Sequence, residues 1–205
     1  MTTKTYVWRN VVSPKRITVA VISALLLLFA VGVEAQQKPA KVDEAPFPSY
    51  GSGAVRVRLY TDYFCSPCQA SEPDLEPVLK DLVTRGVISL TLIDVPIHEE
   101  SRLYAPYFLY ALKKKNTLEH ALRVRATLFA AAAQKVATKK EIEGVLKKKG
   151  IEFQTCDTSP VFKGFNALMK EDGIKSTPSV VIVNGDKKEA SSGGSEILAA
   201  LKGLK

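Results

Sequence analysis

Metal-ligating residues are scarce in this sequence of 205 residues, which has three cysteines, two histidines and two methionines. A structural zinc site normally needs four cysteine or histidine ligands, yet Cys156, His98 and His120 lie at no ligand spacing from one another. Covalent haem attachment needs a histidine directly after the second cysteine of a pair, but Cys68 is followed by Gln69. The composition therefore argues against zinc and haem proteins, and it makes a soft-metal site such as a copper site less favourable.

Aromatic residues are missing from the lysine runs, although the net charge of the chain is +8. The runs are Lys113 to Lys115, Lys139 to Lys140 and Lys147 to Lys149, and each lies at an end of a helical pattern. Charges in such places are usually solvated, and lysines at helix C-termini also complement the helix dipole. Nucleic-acid binding favours basic patches interleaved with aromatic residues, so we expect no nucleic-acid partner.

Acidic residues are also absent from residues 1–16, which contain four basic residues and precede an uncharged apolar run at residues 17–33. This arrangement is typical of an export segment, so residues 1–35 are predicted to be a signal peptide or an uncleaved membrane anchor. In both cases these four basic residues stay in the cytoplasm and the cysteines lie outside it. We therefore expect a periplasmic or extracytoplasmic protein, which an uncleaved segment would anchor in the inner membrane.

After the export segment, the sequence predicts a linker and one domain. Residues 36–53 are rich in proline and glycine, as linkers often are, and residues 54–205 are long enough for one well-buried core. Hydrophobic periodicity predicts strands at residues 55–61, 87–95, 179–183 and 187–190, and helices at residues 71–85, 102–115, 118–135, 139–149, 159–172 and 194–204.

Two cysteines lie two residues apart in Cys65-Ser66-Pro67-Cys68, between the first predicted strand and the first predicted helix. Two thiols within one helical turn can close a small disulfide, and the unpaired N–H groups of a helix N-terminus stabilise a thiolate at Cys65. Cys68 could then attack a mixed disulfide formed at Cys65, and Pro67 is tolerated in the first helical turn. Redox chemistry is the favoured interpretation, with an inert disulfide and a metal site as the alternatives.

Three segments in order resemble the DsbA-like branch of the thioredoxin superfamily. They are residues 61–68 (TDYFCSPC), residues 94–98 (DVPIH) and residues 173–179 (GIKSTPS) running into Val183-Asn184-Gly185. The resemblance covers about residues 54–205. It implies an α/β, thioredoxin-like fold with a helical insertion, at about residues 99–172, between the second and third core strands.

The resemblance also implies a function, a protein thiol-disulfide oxidoreductase. In this family the bond corresponding to Thr177-Pro178 is cis and faces the cysteines, where its backbone holds the substrate chain. Phe64 and Tyr63 beside the cysteines could supply an apolar rim, with core packing an equal alternative for one of them. No metal or coenzyme is needed beyond the redox-active disulfide Cys65–Cys68. The implied partners are proteins with cysteines and a membrane or envelope redox protein that recycles the dithiol.

Some residues depart from the family pattern and leave the redox direction open. Leu59 replaces a buried acidic residue that many members have six positions before the first cysteine, and Asp62 matches a common variant whose alternative role is an exposed turn residue. Ser66 and Pro67 differ from the Pro-His pair of strongly oxidising members. An oxidase, a reductase and an isomerase therefore remain open, and the alternative function is a non-enzymatic envelope module that binds unfolded chains or a soft metal ion.

The remaining cysteine and the two histidines are expected to be structural. Cys156 is predicted to be a free, partly buried thiol, with pairing to another chain or regulation as alternatives. His98 follows a strand end, where it could cap the next helix, and His120 is placed on a polar helix face.

Overall fold

The computed structural model describes residues 47–205. The predicted export segment, residues 1–35, lies outside the described residues, as does most of the predicted linker. No helix within residues 47–205 is both long enough and apolar enough to span a bilayer, and the apolar run at residues 17–33 falls outside that range.

A mixed sheet of five strands forms the centre of the domain, in the order β1-β3-β2-β4-β5. The strands are β1 (Ser49–Tyr50), β2 (Val55–Thr61), β3 (Ile88–Asp94), β4 (Ser179–Asn184) and β5 (Lys187–Ser192). Strands β2 and β3 are parallel, whereas β4 is antiparallel to β2 and β5 is antiparallel to β4. Since Thr61 pairs with Asp94, the C-terminal ends of β2 and β3 lie side by side.

Strand β1 belongs to the segment predicted as a linker. Tyr50 pairs with Leu90 of β3, its ring is buried, and its hydroxyl donates to Asn116 at 2.8 Å. Phe47 stacks on Phe165 with 5.7 Å between the ring centroids. These aromatic contacts hold the chain against the domain from residue 47 onwards.

Six helices within residues 47–205 cover the sheet. They are α1 (Ser66–Thr84), α2 (Ser101–Lys114), α3 (Leu118–Ala133), α4 (Lys139–Lys148), α5 (Ser159–Glu171) and α6 (Gly194–Lys202). Helices α2 to α5 lie between β3 and β4 in the chain, which confirms the predicted helical insertion. Helix α1 begins at Ser66 rather than at residue 71, because Cys65 caps it and Pro67 occupies the first turn, where a missing N–H has no intrahelical partner.

Helix α1 is held between α3 and α6. A side chain at Gly194 would place its Cβ only 2.6 Å from the Cβ of Ser71, so the close approach of α6 to α1 requires glycine at this position. The helix that Cys65 caps, and that contains Cys68, therefore packs against other helices on two sides.

Candidate active site

The two cysteines of the motif meet at the N-terminus of α1. Cys65 has extended backbone angles, and its sulfur accepts a hydrogen bond from the backbone N–H of Cys68 at 3.3 Å. The Cys68 thiol lies against Cys65, with 2.6 Å between the two sulfurs, and both cysteines are free thiols. The two sulfurs are therefore close enough to exchange a bond with each other.

The two sulfurs differ in their surroundings. Cys65 is 5% exposed and Cys68 is 1% exposed, whereas Ser66 and Pro67 between them are exposed. Burial raises the pKa of the Cys68 thiol far above its ordinary value, and the hydrogen bond to Cys65 raises it further. Cys65 is therefore the sulfur that a molecule from solvent meets first, while Cys68 holds its proton.

The segment before β4 lies against Cys65. The Thr177–Pro178 peptide bond is cis, as predicted, and the Cys65 thiol donates to the Thr177 carbonyl oxygen at 3.2 Å. The Pro178 carbonyl oxygen accepts from the backbone N–H of Gly193 at 3.1 Å, which connects this segment to the start of α6. The fold thus brings the pair Cys65 and Cys68 next to the pair Thr177 and Pro178, which lies more than a hundred positions later in the sequence.

The two aromatic residues before the motif take different places. Tyr63 is buried between the rings of Tyr104 and Phe129, and its hydroxyl donates to Asp94 at 3.1 Å. Phe64 is half-buried and meets Tyr104 edge-on. The sequence left an apolar rim and core packing as equal alternatives for one of the two residues, and Tyr63 is the one that packs in the core.

Asp62 is buried and tethers the cysteine turn to the loop that follows β3. Its carboxylate accepts hydrogen bonds from the backbone N–H of Phe64 at 2.8 Å and from the hydroxyl of Ser101 at 2.6 Å. It also accepts from the backbone N–H groups of Ile97 at 2.7 Å and His98 at 3.1 Å, and His98 Nδ1 lies 3.0 Å away. Asp62 is therefore not an exposed turn residue, because five polar groups converge on its carboxylate.

Replacing Asp62 with alanine is expected to free the loop after β3. The backbone amides of Ile97 and His98 lose their acceptor, so their hydrogen exchange should accelerate at least about tenfold, the equivalent of one lost hydrogen bond. Exchange measured by NMR checks this. Asp81→Ala is the matched control, because Asp81 is exposed and forms an ion pair with Arg85 at the surface. Equal rates of hydrogen exchange at the Ile97 amide in Asp62→Ala and Asp81→Ala would contradict the role of Asp62 in holding this loop.

A buried ion cluster beneath α1 was not predicted from the sequence. Arg125 of α3 is completely buried, and its guanidinium donates to the Glu72 carboxylate at 3.0 and 2.7 Å. It also donates to the Thr61 hydroxyl at 3.1 Å and lies 3.7 Å from Asp94. Although burial alone would lower the pKa of Arg125, Glu72 and the other neighbouring groups raise it above its ordinary value. One feature of the sequence could have indicated this cluster: Arg125 lies in the apolar register of α3, four residues before Phe129.

The predicted environments of Cys156 and His120 were wrong. Cys156 is exposed rather than partly buried, because it lies in the loop between α4 and α5. His120 is buried rather than on a polar face, and burial, with Arg123 and Lys115 nearby, lowers its pKa. Leu59 is fully buried in β2.

Within the described part of the chain, no group of three or more histidine, cysteine or carboxylate side chains is arranged to hold a metal ion.

The paired-cysteine turn after β2 thus meets the cis-proline segment before β4 at one end of the mixed sheet. Comparison with family profiles matches residues 51–203 to the family described as Thioredoxin. The chain belongs to the thioredoxin family. Comparison with curated proteins finds no match.

Solved structures share this fold at low sequence identity. A periplasmic thioredoxin-like protein from Salmonella enterica serovar Typhimurium is 22% identical, with a TM-score of 0.55 over 78% of this chain and 91% of that one. DsbA2 from Pseudomonas aeruginosa is 18% identical, with a TM-score of 0.52 over 77% and 93%. A putative protein-disulfide isomerase from Pseudomonas syringae is 12% identical, with a TM-score of 0.60 over 76% and 98%. These neighbours confirm the predicted thioredoxin-like fold.

Proposed function

We propose that this protein is an extracytoplasmic thiol-disulfide oxidoreductase that exchanges disulfides with protein cysteines through Cys65 and Cys68. One observation carries the proposal: Cys65 Sγ lies 2.6 Å from Cys68 Sγ and 3.2 Å from the Thr177 carbonyl oxygen. One sulfur is thus in reach of both a resolving thiol and a backbone segment that can align a substrate.

The reaction begins when the Cys65 sulfur attacks a substrate disulfide as a thiolate. A bond forms between Cys65 and one substrate cysteine, and the other substrate cysteine leaves and takes up a proton. Cys68 then loses its proton and attacks Cys65, which closes the Cys65–Cys68 disulfide and releases the reduced substrate. The reverse sequence oxidises a substrate dithiol. The N-terminus of α1 stabilises negative charge on Cys65, and burial keeps Cys68 protonated until it is needed.

The substrate chain lies alongside Thr177 and Pro178 in this proposal. An extended peptide that carries the attacked cysteine can pair with backbone groups there, as in strand addition. Phe64 is half-buried beside Cys65 and offers the substrate peptide an apolar contact. Ser66 and Pro67, which are exposed, line the path by which the substrate sulfur reaches Cys65.

An extracytoplasmic location is supported by the N-terminal sequence and by the periplasmic neighbour from Salmonella enterica. A redox protein of the membrane or envelope would then recycle the dithiol. The direction follows from the reduction potential of the Cys65–Cys68 pair, measured against glutathione. A potential of about −270 mV would indicate a reductant, and one of about −120 mV would indicate an oxidant.

Replacing Cys68 with serine tests the proposal. The variant should retain the attack by Cys65 but lose the resolving thiol, so a disulfide-containing peptide should accumulate as a covalent adduct, at least about tenfold above the level in the unaltered protein. Non-reducing electrophoresis and mass spectrometry measure the adduct, which must disappear on reduction.

The matched control adds Cys156→Ser to the Cys68→Ser variant. Cys156 is exposed and could itself form adducts, so its removal leaves only those at Cys65. An adduct that forms only at residue 156, and therefore vanishes with this second change, would contradict the proposed role of Cys65.

A further inference from the structure

Residues 173–178 form the segment that the proposed function places alongside the substrate, and the chain is regular on both sides of it. Helix α5 ends just before the segment, and strand β4 begins just after it at Ser179. Within the segment, the Thr177 carbonyl oxygen accepts the hydrogen bond from Cys65 at 3.2 Å. The position of this segment therefore decides how a bound peptide lies relative to the reactive sulfur.

Asp172, directly before the segment, has a carboxylate that meets donors from two strands. The side chain has no exposed surface. Its Oδ2 accepts from the Tyr60 hydroxyl at 2.5 Å, and Arg58 Nη1 donates to both carboxylate oxygens at 2.9 Å. Lys188 Nζ lies 2.8 Å from Oδ1. One buried carboxylate thus joins the end of α5 to strands β2 and β5.

Tyr60 is connected to both ends of the segment. Its hydroxyl donates to Asp172, and in the sheet Tyr60 is the register partner of Ser179, the residue directly after the segment. The Ser179 hydroxyl in turn donates to the carbonyl oxygen of Ser176 at 2.7 Å. Tyr60 lies five residues before Cys65 in the chain. A single fully buried tyrosine therefore fixes both ends of the segment relative to the strand that leads to the cysteines.

We propose that Tyr60 and Asp172 are positioning residues for disulfide exchange, which hold residues 173–178 where a peptide can be aligned with Cys65. This inference rests on the proposed function. Both side chains are buried, so neither contacts the substrate. They act through the segment, and their loss should slow exchange with a peptide while leaving the reactivity of the Cys65 sulfur itself unchanged.

Tyr60→Phe tests the proposal with a small change, because it removes only the hydroxyl and alters no charge near neutral pH. The second-order rate constant for oxidation of the reduced protein by a disulfide-containing peptide should fall about tenfold, since a displacement of about 1 Å in an aligning group can cost that much or more. Alkylation of Cys65 by iodoacetamide, which needs no aligning segment, should change by less than about twofold. Mass spectrometry follows alkylation at Cys65 alone, so that the exposed Cys156 does not contribute.

The matched control is Tyr107→Phe in the helical insertion. Tyr107 is also a buried tyrosine whose hydroxyl donates to a carboxylate, that of Glu143 at 2.8 Å. The substitution makes the same chemical change between α2 and α4, so the rate constant with the peptide should stay within about twofold of the unaltered protein.

Hydrogen exchange at Gly193 reports on the segment directly. The Gly193 N–H donates to the Pro178 carbonyl oxygen at 3.1 Å, so a segment that moves away from its place exposes this amide to solvent. Its exchange, measured by NMR, should be at least about threefold faster in Tyr60→Phe than in Tyr107→Phe.

A second pair of variants keeps the test decisive even where Tyr60→Phe folds poorly. Lys188→Met removes the ammonium group that lies against Asp172, whereas Lys187→Met changes the neighbouring lysine, which points to the other face of β5. The rate constant with the peptide should fall about threefold in Lys188→Met, since a partly exposed ion pair contributes less than a buried one. It should remain unchanged in Lys187→Met.

Equal rate constants with the peptide within either pair, Tyr60→Phe and Tyr107→Phe or Lys188→Met and Lys187→Met, would overturn the inference. A loss in Tyr60→Phe that alkylation of Cys65 shares to the same extent would also overturn it, because the effect would then arise at the sulfur. In these cases the unaltered protein would still exchange disulfides with the peptide, and the proposed function would stand. An unaltered protein whose Cys65 is alkylated but never exchanges disulfides would overturn both.

Discussion

Cys65→Ser is expected to reduce disulfide exchange with a protein substrate by at least about a thousandfold, the scale of losing the nucleophile in covalent catalysis. A serine hydroxyl cannot form the disulfide bond to the substrate, and the buried Cys68 remains protonated and 1% exposed. The rate at which free thiols appear in, or vanish from, a cysteine-containing peptide measures the effect. Mass spectrometry after alkylation counts those thiols.

The matched control for this prediction is Cys156→Ser, which makes the same chemical change in an exposed loop. It should leave the exchange rate within about twofold of the unaltered protein, because substitutions of exposed residues outside the site usually have small effects. If Cys65→Ser kept a tenth or more of the activity, the reactive thiol would have to lie elsewhere. The proposed function would then be wrong.

Arg125→Met is expected to lower the free energy of unfolding by about 3–5 kcal/mol, the usual cost of leaving a buried charge without its partner. Methionine retains most of the apolar length of arginine, but Glu72 loses two hydrogen bonds and Asp94 loses the opposite charge. Urea denaturation of the reduced protein, followed by circular dichroism, gives this free energy.

Two controls distinguish the effect of the buried ion pair from that of an exposed ion pair. Adding Glu72→Met to Arg125→Met should restore much of the loss, because apolar replacement of both partners of a buried ion pair is often close to neutral. Arg85→Met breaks an exposed pair with Asp81 and should cost less than about 1 kcal/mol. A loss at Arg125 as small as that at Arg85 would show that the cluster contributes little to stability.

Local patterns predicted most of the secondary structure because the forces that form it act over a few residues. Helix α4 follows a capping box in which Thr138 and Glu141 satisfy each other's backbone N–H groups, and its predicted and observed starts coincide. Strand β4 is an apolar, β-branched run before an Asn-Gly turn, which is the usual signature of a hairpin. The start of α1 was less predictable, because Pro67 and a cysteine cap weaken the helical pattern there.

Side-chain environments were harder to predict, because they depend on which elements pack together. Asp62 and His120 are both compatible with solvent by residue type, yet both are buried. Asp62 is buried because the loop after β3 turns its backbone N–H groups towards it. Nothing within a few residues of Asp62 indicates that loop, since Ile97 and His98 are more than thirty positions away.

The sequence by itself determined the paired cysteines, their place between a strand and a helix, and the order of elements that supports the thioredoxin family, because each depends on neighbouring residues. Only the tertiary structure decided what surrounds the cysteines. It placed the Thr177 carbonyl oxygen 3.2 Å from Cys65, and it brought Arg125 from an inserted helix to the two carboxylates beneath α1. The physical reason is that hydrogen bonds and charges act through space, so their partners can come from any distance along the chain.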